Sequence, residues 1–555
     1  MHSKKRRIAK TNLLNTLQKA FHLNAQSAQQ DIPVDEIRET QKISRRKFIE
    51  TTGKAALLTT IGASAFLQAC TSKNKPEIVI VGAGIAGLNA AHTLKKAGYL
   101  PKIYEASPRT GGRIYTAVDM LAPGLTTELG GEFIDSTHDD IFALIKQFDL
   151  PLIDTFVESE KNLTHACYYF DGQIIKDEDI LQLFFPFTDQ IQKDIDSLSN
   201  VISYKTYNEN DLRLDQLSIA DYLTGIGISG LLYKLLDVAY TTEYGLDIAE
   251  QSAINFLLLM DQGMKEEFYY SGYSDERYKI SGGNQLITDN LTRTLQYQLN
   301  MGFTLEAIHS KKEGNKIVLD FIKAGGATES VTADFAIITV PFTILKNIKI
   351  NYPLSPQKIK AINEMGYGKN AKFFLGFEKR IWREQGFTGF AFGDEAIQCG
   401  WDNSQLQRSE RAGYTIFTGG KESDILLTGT DKEHADRFLQ GINQFFPDVK
   451  SFYNNTSAKF HWPTYNYSKA SYTCFKPGQY TTIEGAQSEP NGNIYFAGEH
   501  CSFDFQGFMN GAAMTGRIAA EGILKKFCLL YTSDAADERS SVDLGGRRII
   551  KKKKK

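Results

Sequence analysis

The stretch that most constrains the fold is PEIVIVGAGIAGLNAAHTLKKAGYLPKIYEAS, at residues 76–107. Residues 77–81 predict a short buried strand, and residues 85–97 carry apolar side chains at helical spacing. The loop between them has the pattern G-x-G-x-x-G, formed by Gly82, Gly84 and Gly87. The first glycine allows a tight turn, the second lets a pyrophosphate approach the backbone, and the third lets helix and strand pack closely.

The residues after this loop extend the same pattern. The N–H groups at the start of the helix, at Ile85 and Ala86, are expected to face phosphates. The next strand is predicted at 102–104, and Glu105 and Ala106 follow it directly. Glu105 stands where an acid that binds the ribose is expected. The order of strand, loop, helix, strand and acid predicts a dinucleotide site. The alternative is a glycine turn that serves packing only.

Two further glycine pairs follow. In SPRTGGRIYT, Arg109 and Arg113 flank Gly111 and Gly112, and guanidinium groups beside a close backbone suit a pyrophosphate. In ELGGEFIDST, residues 128–137, two glycines lie side by side between two carboxylates. Glycine weakens a strand unless another backbone or a ligand must come close.

With these motifs the sequence resembles the flavin-containing amine oxidase family, which includes monoamine, polyamine and L-amino-acid oxidases. In that family the R-x-G-G-R run follows the first βαβ unit and contacts FAD. The resemblance implies an FAD cofactor. It also implies that Gly130 and Gly131 lie against the flavin, with Glu132 and Phe133 beside them.

The far end of the chain continues the resemblance. NIYFAGEHCSFDFQGFMNGAAMTGRIAAEGIL is similar to the closing motif of the family: a strand, then Gly498 and Glu499, then a helix that starts near Gly507 and spans 509–524. This implies that Glu499 meets the ribityl and phosphate region and that the backbone of Met509 meets the pyrimidine end of the flavin. In FTLEAI, Leu305 resembles the apolar residue that packs on the adenine.

The resemblance covers residues 77–526 and implies an α/β fold. A Rossmann-like FAD-binding domain is expected from three separated segments, 77–150, 274–352 and 466–528. YKISGGNQLITDNL resembles the segment that returns the chain to this domain. An α+β substrate domain is inserted between them, at 151–273 and 353–465.

The reacting side of the flavin is predicted from a lysine and three aromatic residues. Lys372 lies in the alternating apolar run GYGKNAKFFLGF, where an inward charge is costly without a partner. The resemblance implies that it holds a water near flavin N5 and assists reoxidation by oxygen; the alternative is an edge-strand lysine that points to solvent. Trp462 is expected beside the flavin, and Tyr472 and Phe508 as two walls of an aromatic cage that orients an amine. Trp462 and Tyr472 as ordinary core residues are the alternative.

Two departures from the family pattern refine the prediction. Ser471 stands where monoamine oxidases of animals attach FAD through a cysteine, so the FAD is expected to be non-covalent. Glu132 and Phe133 follow the glycine pair where L-amino-acid oxidases typically have an arginine, which weakens a substrate with a carboxylate.

The resemblance therefore implies oxidation of a primary or secondary amine to an imine, with oxygen reduced to hydrogen peroxide. An L-amino-acid oxidase is the first alternative, followed by a carotenoid or porphyrinogen desaturase, and then by a flavin-stabilised binding protein without turnover. No metal site is expected, because the cysteines form no C-x-x-C pair and no metal spacing. The sequence does not determine an oligomeric state.

Charge is distributed unevenly along the chain. Up to Cys70 there are twelve Lys and Arg against five Asp and Glu, a charge of +7, and from Leu529 onward there are eight against four, a charge of +4. Because the net charge of the chain is −2, the body between these ends carries −13. An acidic body argues against nucleic acid and favours a cationic small molecule.

Both ends resemble processing or foreign segments. Arg45 and Arg46 precede an apolar run at 55–69, too short to span a bilayer, and resemble a bacterial twin-arginine export signal. LQAC resembles a lipobox with Cys70 as the lipidated residue. We therefore expect 1–70 to be a leader that recruits the twin-arginine export machinery and places the enzyme in the periplasm, anchored to the membrane; the alternative is a basic amphipathic helix.

The tail 529–555 resembles a translated sequencing adapter and is excluded from the expected fold, with a genuine basic tail as the alternative.

Overall fold

The computed structural model describes residues 11–30, 32–34, 36–37, 75–260, 274–311 and 315–540. Arg45, Arg46 and Cys70 lie outside these ranges, as does the end of the tail, 541–555. Within the described ranges, no helix is long and apolar enough to cross a membrane.

Twenty strands and sixteen α-helices make up the described part of the chain. The strands are β1 Ile78–Val81, β2 Lys102–Glu105, β3 Thr116–Val118, β4 Thr126–Glu128, β5 Leu152–Asp154, β6 Thr164–Phe170, β7 Gln173–Ile175, β8 Tyr278–Ile280, β9 Leu299–Met301, β10 Phe303–Lys311, β11 Lys316–Lys323, β12 Thr328–Ala333, β13 Phe335–Ile338, β14 Lys349–Asn351, β15 Ala371–Phe377, β16 Phe387–Gly393, β17 Cys399–Asp402, β18 Ala412–Thr418, β19 Tyr453–His461 and β20 Ile494–Phe496. The helices are α1 Asn12–Gln30, α2 Ile85–Lys96, α3 Asp139–Phe148, α4 Asp177–Phe184, α5 Thr188–Ser197, α6 Glu209–Asp215, α7 Ile219–Gly225, α8 Gly230–Tyr244, α9 Ala253–Met260, α10 Gln285–Thr294, α11 Phe342–Leu345, α12 Pro356–Glu364, α13 Ile381–Glu384, α14 Gly420–Ser423, α15 Asp431–Phe445 and α16 Met509–Ser540.

A five-stranded parallel sheet with the order β20-β13-β1-β2-β9 forms the cofactor domain. Its strands come from three separated parts of the chain, which confirms the predicted Rossmann-like domain. Strand β1 lies at the centre, and its four residues are all buried, as is usual for a strand covered on both faces. Because β1 and β2 are parallel neighbours, the loop after β1 and Glu105 at the end of β2 meet at one edge of the sheet.

The substrate domain is built around a seven-stranded mixed sheet with the order β19-β15-β18-β17-β16-β6-β7. Strands β6 and β7 come from the first inserted segment, and the other five come from the second. Strand β16 joins the two by pairing with β6 in parallel. A four-stranded sheet, β12-β11-β10-β14, lies at the other side of the cofactor domain and carries Leu305 on β10.

We expected all of 1–70 to precede the folded body, but helix α1 packs into that body. Leu13, Leu17 and Phe21 are fully buried, and they join the core cluster that contains the helices of the substrate domain. The Gln18 side-chain amide donates to the Leu259 carbonyl at 2.6 Å, and that of Asn24 donates to the Leu181 carbonyl at 2.7 Å. This part of the expected leader is therefore packed into the folded protein.

The last helix also extends beyond the predicted range. We predicted a helix at 509–524, and α16 runs from Met509 to Ser540, so its backbone continues into the tail that the sequence analysis excluded. The N-terminal half of α16 packs against α2, where Gly516 lets the helices approach: a Cβ there would lie 2.1 Å from the carbonyl oxygen of Ala86.

Candidate active site

A cavity of about 420 Å³ is lined by residues of both the cofactor and the substrate domains. All the predicted site residues except Gly87 and Arg109 line it. They are Gly82, Gly84, Ile85, Ala86, Glu105, Ala106, Gly112, Arg113, Gly130, Gly131, Glu132, Phe133, Leu305, Lys372, Trp462, Tyr472, Gly498, Glu499, Gly507, Phe508 and Met509. Segments more than 400 residues apart in the sequence thus converge on one space.

The dinucleotide end of this cavity lies at the loop between β1 and α2. Gly84 is the N-cap of α2 and has no side chain to bond the first N–H groups of the helix, so these donors remain available to an anion. A Cβ on Gly84 would meet only the Cα of Gly112, at 3.9 Å, so the backbone here is open to the cavity. Glu105 accepts hydrogen bonds from the N–H groups of Ala83 and Ser107 at 2.6 and 2.7 Å, which fixes its carboxylate beside the loop. The arrangement fits a bound dinucleotide.

Arg109 and Gly87 serve the packing of this loop instead of lining the cavity. The Arg109 guanidinium donates to the carbonyls of Thr110 and Ile114, at 3.0 and 3.2 Å, and stacks 3.8 Å from the ring of Tyr115. These contacts engage the guanidinium within the protein, and the pyrophosphate contact of Arg109 stays a prediction. A Cβ on Gly87 would lie 2.0 Å from the Gly82 carbonyl oxygen, which explains the glycine by helix packing.

Arg113 and Glu499 form an ion pair at the cavity wall. The Arg113 Nη1 lies 2.8 Å from Glu499 Oε1 and also donates to the Ser471 carbonyl at 2.6 Å. Burial opposes ionisation of Glu499, but the charges of Arg113 and His500 together with the hydrogen bonds that Glu499 accepts outweigh it and hold the pKa of this carboxyl below its usual value. The Gly507 N–H donates to Glu499 Oε2 at 2.9 Å, so the pair ties the start of α16 to the cofactor domain.

The two glycines in ELGGEFIDST lie between the cavity and other parts of the protein. A Cβ on Gly130 would lie 1.9 Å from the Arg113 carbonyl oxygen, and one on Gly131 would lie 2.8 Å from the Cγ of Met509. The resemblance implies that the flavin lies against these glycines. The structure shows that the backbone crossing at Arg113 and the side chain of Met509 also leave no room for a Cβ.

Lys372 is buried on β15 and gives each of its three N–H donors to this same loop. Its Nζ lies 2.9 Å from the Glu128 carbonyl oxygen, 3.0 Å from the Gly130 carbonyl oxygen and 3.0 Å from Glu132 Oε2. An ammonium has three donors, so these contacts use its full capacity. The alternative of a lysine that points to solvent is therefore wrong.

Glu132 joins Lys372 to a second buried lysine. Its Oε1 accepts from Lys279 Nζ and from the Trp401 indole N–H, each at 3.0 Å. Burial opposes ionisation of Glu132, but the charges of Lys279 and Lys372 and these hydrogen bonds outweigh it and hold its pKa below the usual value. We call Lys279, Glu132 and Lys372 the lysine–glutamate triad; with all three groups ionised it carries one net positive charge.

The pKa of Glu128, two residues before Gly130, shifts in the opposite direction. Burial raises its pKa to about 7, against hydrogen bonds from the Asn284 N–H and the Thr116 hydroxyl. Because a protonated Glu128 carries no charge, it does not cancel the positive charge of the triad.

Aromatic side chains form the rest of the wall on the substrate side. Tyr472 and Phe508, the predicted cage, both line the cavity, and so does Trp462, whose indole N–H donates to the Leu129 carbonyl at 2.9 Å. Trp401 packs against Phe133 and Phe390, with ring centroids 5.7 and 6.3 Å apart.

Several residues at this site were missed by sequence reasoning. Lys279 lies between Tyr278 and Ile280 on β8, and because both Lys279 and Ile280 are buried, alternation along the strand does not predict its inward position. Trp401 and Glu276 follow no motif in the sequence, and only the folded chain brings them to the cavity.

The geometry defines a dinucleotide-binding oxidoreductase whose substrate cavity opens between two domains. The family model of flavin containing amine oxidoreductases matches residues 85–524. The chain therefore belongs to this family: it is an FAD-dependent oxidoreductase that acts on amines.

Among curated proteins, the chain is similar to the L-amino-acid oxidases of Sistrurus catenatus edwardsii and Echis ocellatus. Both are 24% identical to it, over 473 and 471 residues, which is 81% of this chain in each case and 87% and 90% of theirs. Among solved structures it is similar to cyclohexylamine oxidase from Brevibacterium oxydans, with a TM-score of 0.71, 20% identity and coverage of 82% and 100% of the two chains. Putrescine oxidase bound to putrescine gives a TM-score of 0.68 at 18% identity, covering 81% and 99%. At these identities the structural likeness concerns the fold.

Proposed function

We propose that this protein oxidises an amine without a carboxylate next to the reacting carbon, and reduces oxygen to hydrogen peroxide. The observation that carries the proposal is the charge of the cavity wall. Among the cavity-lining residues that the structure describes, the cations are Arg113 and Lys372, and each already pairs with a glutamate. A substrate carboxylate would need a cation of its own when desolvated.

The protein's own groups supply position and charge for this reaction. FAD, when bound, would supply the redox chemistry: a hydride equivalent would leave the amine carbon and a proton would leave its nitrogen as the imine forms, and oxygen would take up the two electrons and two protons as hydrogen peroxide. Tyr472 and Phe508 line the cavity, and we expect their rings to face the reacting side of the flavin, where flat aromatic faces orient the amine and exclude water. Holding the reacting carbon in one orientation is the main contribution that such walls make.

Lys372 assists the oxygen step through its charge. Because its three donors are engaged, it acts as a fixed positive charge at Nζ, not as a proton donor. A preorganised charge in a buried site stabilises negative charge that develops as oxygen is reduced. The raised pKa of Glu128 and the presence of Lys279 support this role, because both reduce the negative charge close to Lys372.

An L-amino-acid oxidase is the second candidate, favoured by the names of the curated relatives. A peroxide assay on the purified FAD-loaded enzyme separates the two. We expect turnover with primary or secondary amines and at least about tenfold lower kcat/KM with L-amino acids, since an unpaired buried carboxylate costs more than 1.4 kcal/mol. Higher kcat/KM with L-amino acids would reject the proposal.

We also propose that residues 44–70 direct the protein to the bacterial envelope. The twin-arginine route moves folded proteins, which suits an enzyme that must fold around its dinucleotide because the ligand is part of its stability. A lipid on Cys70 adds membrane affinity of about 0.8 kcal/mol per buried methylene. If cleavage before Cys70 separates α1 from the body, the buried contacts of Leu13, Leu17 and Phe21 hold the helix in place.

Changing Arg45 and Arg46 to lysine tests the export proposal. The FAD-loaded precursor should then stay in the cytoplasm, whereas the Cys70→Ser variant should be exported but not lipidated. Cell fractionation with flavin fluorescence measures both. Normal delivery of the double-lysine variant to the envelope would reject this proposal and leave the amine oxidation unaffected.

A further inference from the structure

Glu276 is an acid of the cavity wall that the reaction described above does not use. It lines the same cavity as Lys372, Phe390 and Trp401. Its Oε2 atom is buried, and among the described residues nothing hydrogen-bonds to it. A buried carboxylate oxygen without a partner is costly, so its retention here indicates a role for a ligand.

The backbone holds this side chain in place against its own preference. Glu276 has a φ of +43°, a region that side chains other than glycine rarely adopt. Asp135 fixes it there: Asp135 Oδ1 accepts from the Glu276 N–H at 2.9 Å and from the Ser274 hydroxyl at 2.8 Å. Strained backbone that the surroundings hold in this way is common in ligand sites.

The charges around Glu276 are mainly negative. Burial raises its pKa well above the usual value, and Asp135, Glu243 and Glu132 raise it further, while Lys279 lowers it. Lys279 does not neutralise it, because the Lys279 ammonium is committed to Glu132 Oε1 at 3.0 Å and to the Asn403 carbonyl at 3.3 Å. The position therefore suits a cation that comes with the ligand.

We propose that Glu276 binds a second cationic group of the substrate, so that the preferred substrate is an aliphatic diamine or polyamine. One amine is oxidised over the flavin, and the other stays charged; its ammonium favours ionisation of Glu276, which then pairs with it as a carboxylate. The aromatic wall of Phe133, Phe390 and Trp401 takes the methylenes between them. This inference rests on the proposed amine oxidation and adds a substrate class to it.

Wild-type holoenzyme gives the first test and needs no variant. Steady-state peroxide production is measured with α,ω-diamines and with n-alkyl monoamines of the same chain length. A charge-assisted contact at Glu276 predicts kcat/KM about tenfold or more higher for the diamine, mainly through a lower KM. Equal values for the matched amines would overturn the inference while the proposed amine oxidation stands. Activity with L-amino acids and with neither kind of amine would overturn both.

Glu276→Gln gives the second test, with Glu306→Gln as the control that removes an equal charge from an exposed position outside the cavity. The diamine-to-monoamine ratio of kcat/KM should fall about tenfold in Glu276→Gln and stay at the wild-type value in Glu306→Gln. An unchanged ratio in a Glu276→Gln protein with normal flavin content would overturn the inference. If that variant does not fold, the wild-type comparison decides the matter.

Discussion

Lys372 Nζ lies 3.0 Å from Glu132 Oε2, and the other oxygen of Glu132 lies 3.0 Å from Lys279 Nζ. The two lysines are thus matched in partner and burial, but only Lys372 lines the cavity, whereas Lys279 lies behind Glu132. We therefore expect Lys372 to act on the reacting groups in the cavity and Lys279 to support the loop that carries Glu132.

Lys372→Met should slow reoxidation of the reduced flavin by oxygen by about tenfold or more, since a preorganised charge is worth several kcal/mol to developing negative charge. Anaerobic reduction by the amine should change much less. Stopped-flow absorbance of each half-reaction measures this. The matched control is Lys279→Met, which should affect reoxidation less; equal slowing of both half-reactions by Lys372→Met would mean that the lysine is a structural support.

Glu132→Gln should destabilise the protein by about 3–5 kcal/mol, because it leaves two buried ammonium groups without their anion. Denaturant unfolding of the FAD-loaded protein measures the loss. The exposed Glu306→Gln should stay within about 0.5 kcal/mol of wild type. A Glu132→Gln protein as stable as wild type would show that the lysines do not depend on this carboxylate.

The sequence predicted the cofactor domain in detail because its motifs are local. β1 was predicted at 77–81 and is found at Ile78–Val81, and the helix predicted at 85–97 is found at Ile85–Lys96. The substrate side was predicted less well. Trp401 reaches the cavity on β17, which pairs with β18, and Glu276 is held there by Asp135, which lies 141 residues earlier in the chain; no motif of the sequence carries that information.

The contacts of Arg109 and of helix α1 were also not predicted, because they depend on how the chain folds and not on a local pattern. A guanidinium next to a glycine pair suits a phosphate, but in the folded chain the nearer carbonyls of Thr110 and Ile114 take its donors. The sequence predicts the apolar residues of α1 as part of a leader because a run that resembles an export signal follows them. Their burial depends on the substrate-domain helices, which lie more than 100 residues away.

Glu128 should make stability depend on pH. Its pKa is about 7 in the folded protein against an ordinary 4.5, so between these values the folded state keeps a proton that the unfolded state has released. The contribution of this group is therefore most favourable at low pH and is lost as pH rises towards 7. From pH 5 to pH 8 the wild type should lose about 2–3 kcal/mol relative to Glu128→Gln in urea unfolding. Parallel profiles would contradict the raised pKa.

Phe21→Ala in helix α1 should destabilise the folded protein by about 3–5 kcal/mol, because the ring is fully buried and packs on Phe184. Gln29→Ala, on the exposed end of the same helix, should stay within about 0.5 kcal/mol. Thermal unfolding of the full chain measures both. Equal stability of the two variants would mean that α1 is not part of the core.

The FAD should be released by acid precipitation. Ser471 lines the cavity and donates its hydroxyl to the Asn370 side-chain oxygen at 2.6 Å, and it offers no thiol for attachment. Yellow flavin should therefore appear in the supernatant; flavin that stays with the protein pellet would show a covalent link.

Anaerobic mixing of the FAD-loaded enzyme with one amine separates oxidation of amines from oxidation of amino acids in a single experiment. We expect the absorbance of oxidised flavin to bleach with an amine that lacks a carboxylate. Admission of oxygen should then restore it, with one hydrogen peroxide formed per flavin. Bleaching by L-amino acids alone, or no bleaching by any amine, would show that the protein is not an oxidase of such amines.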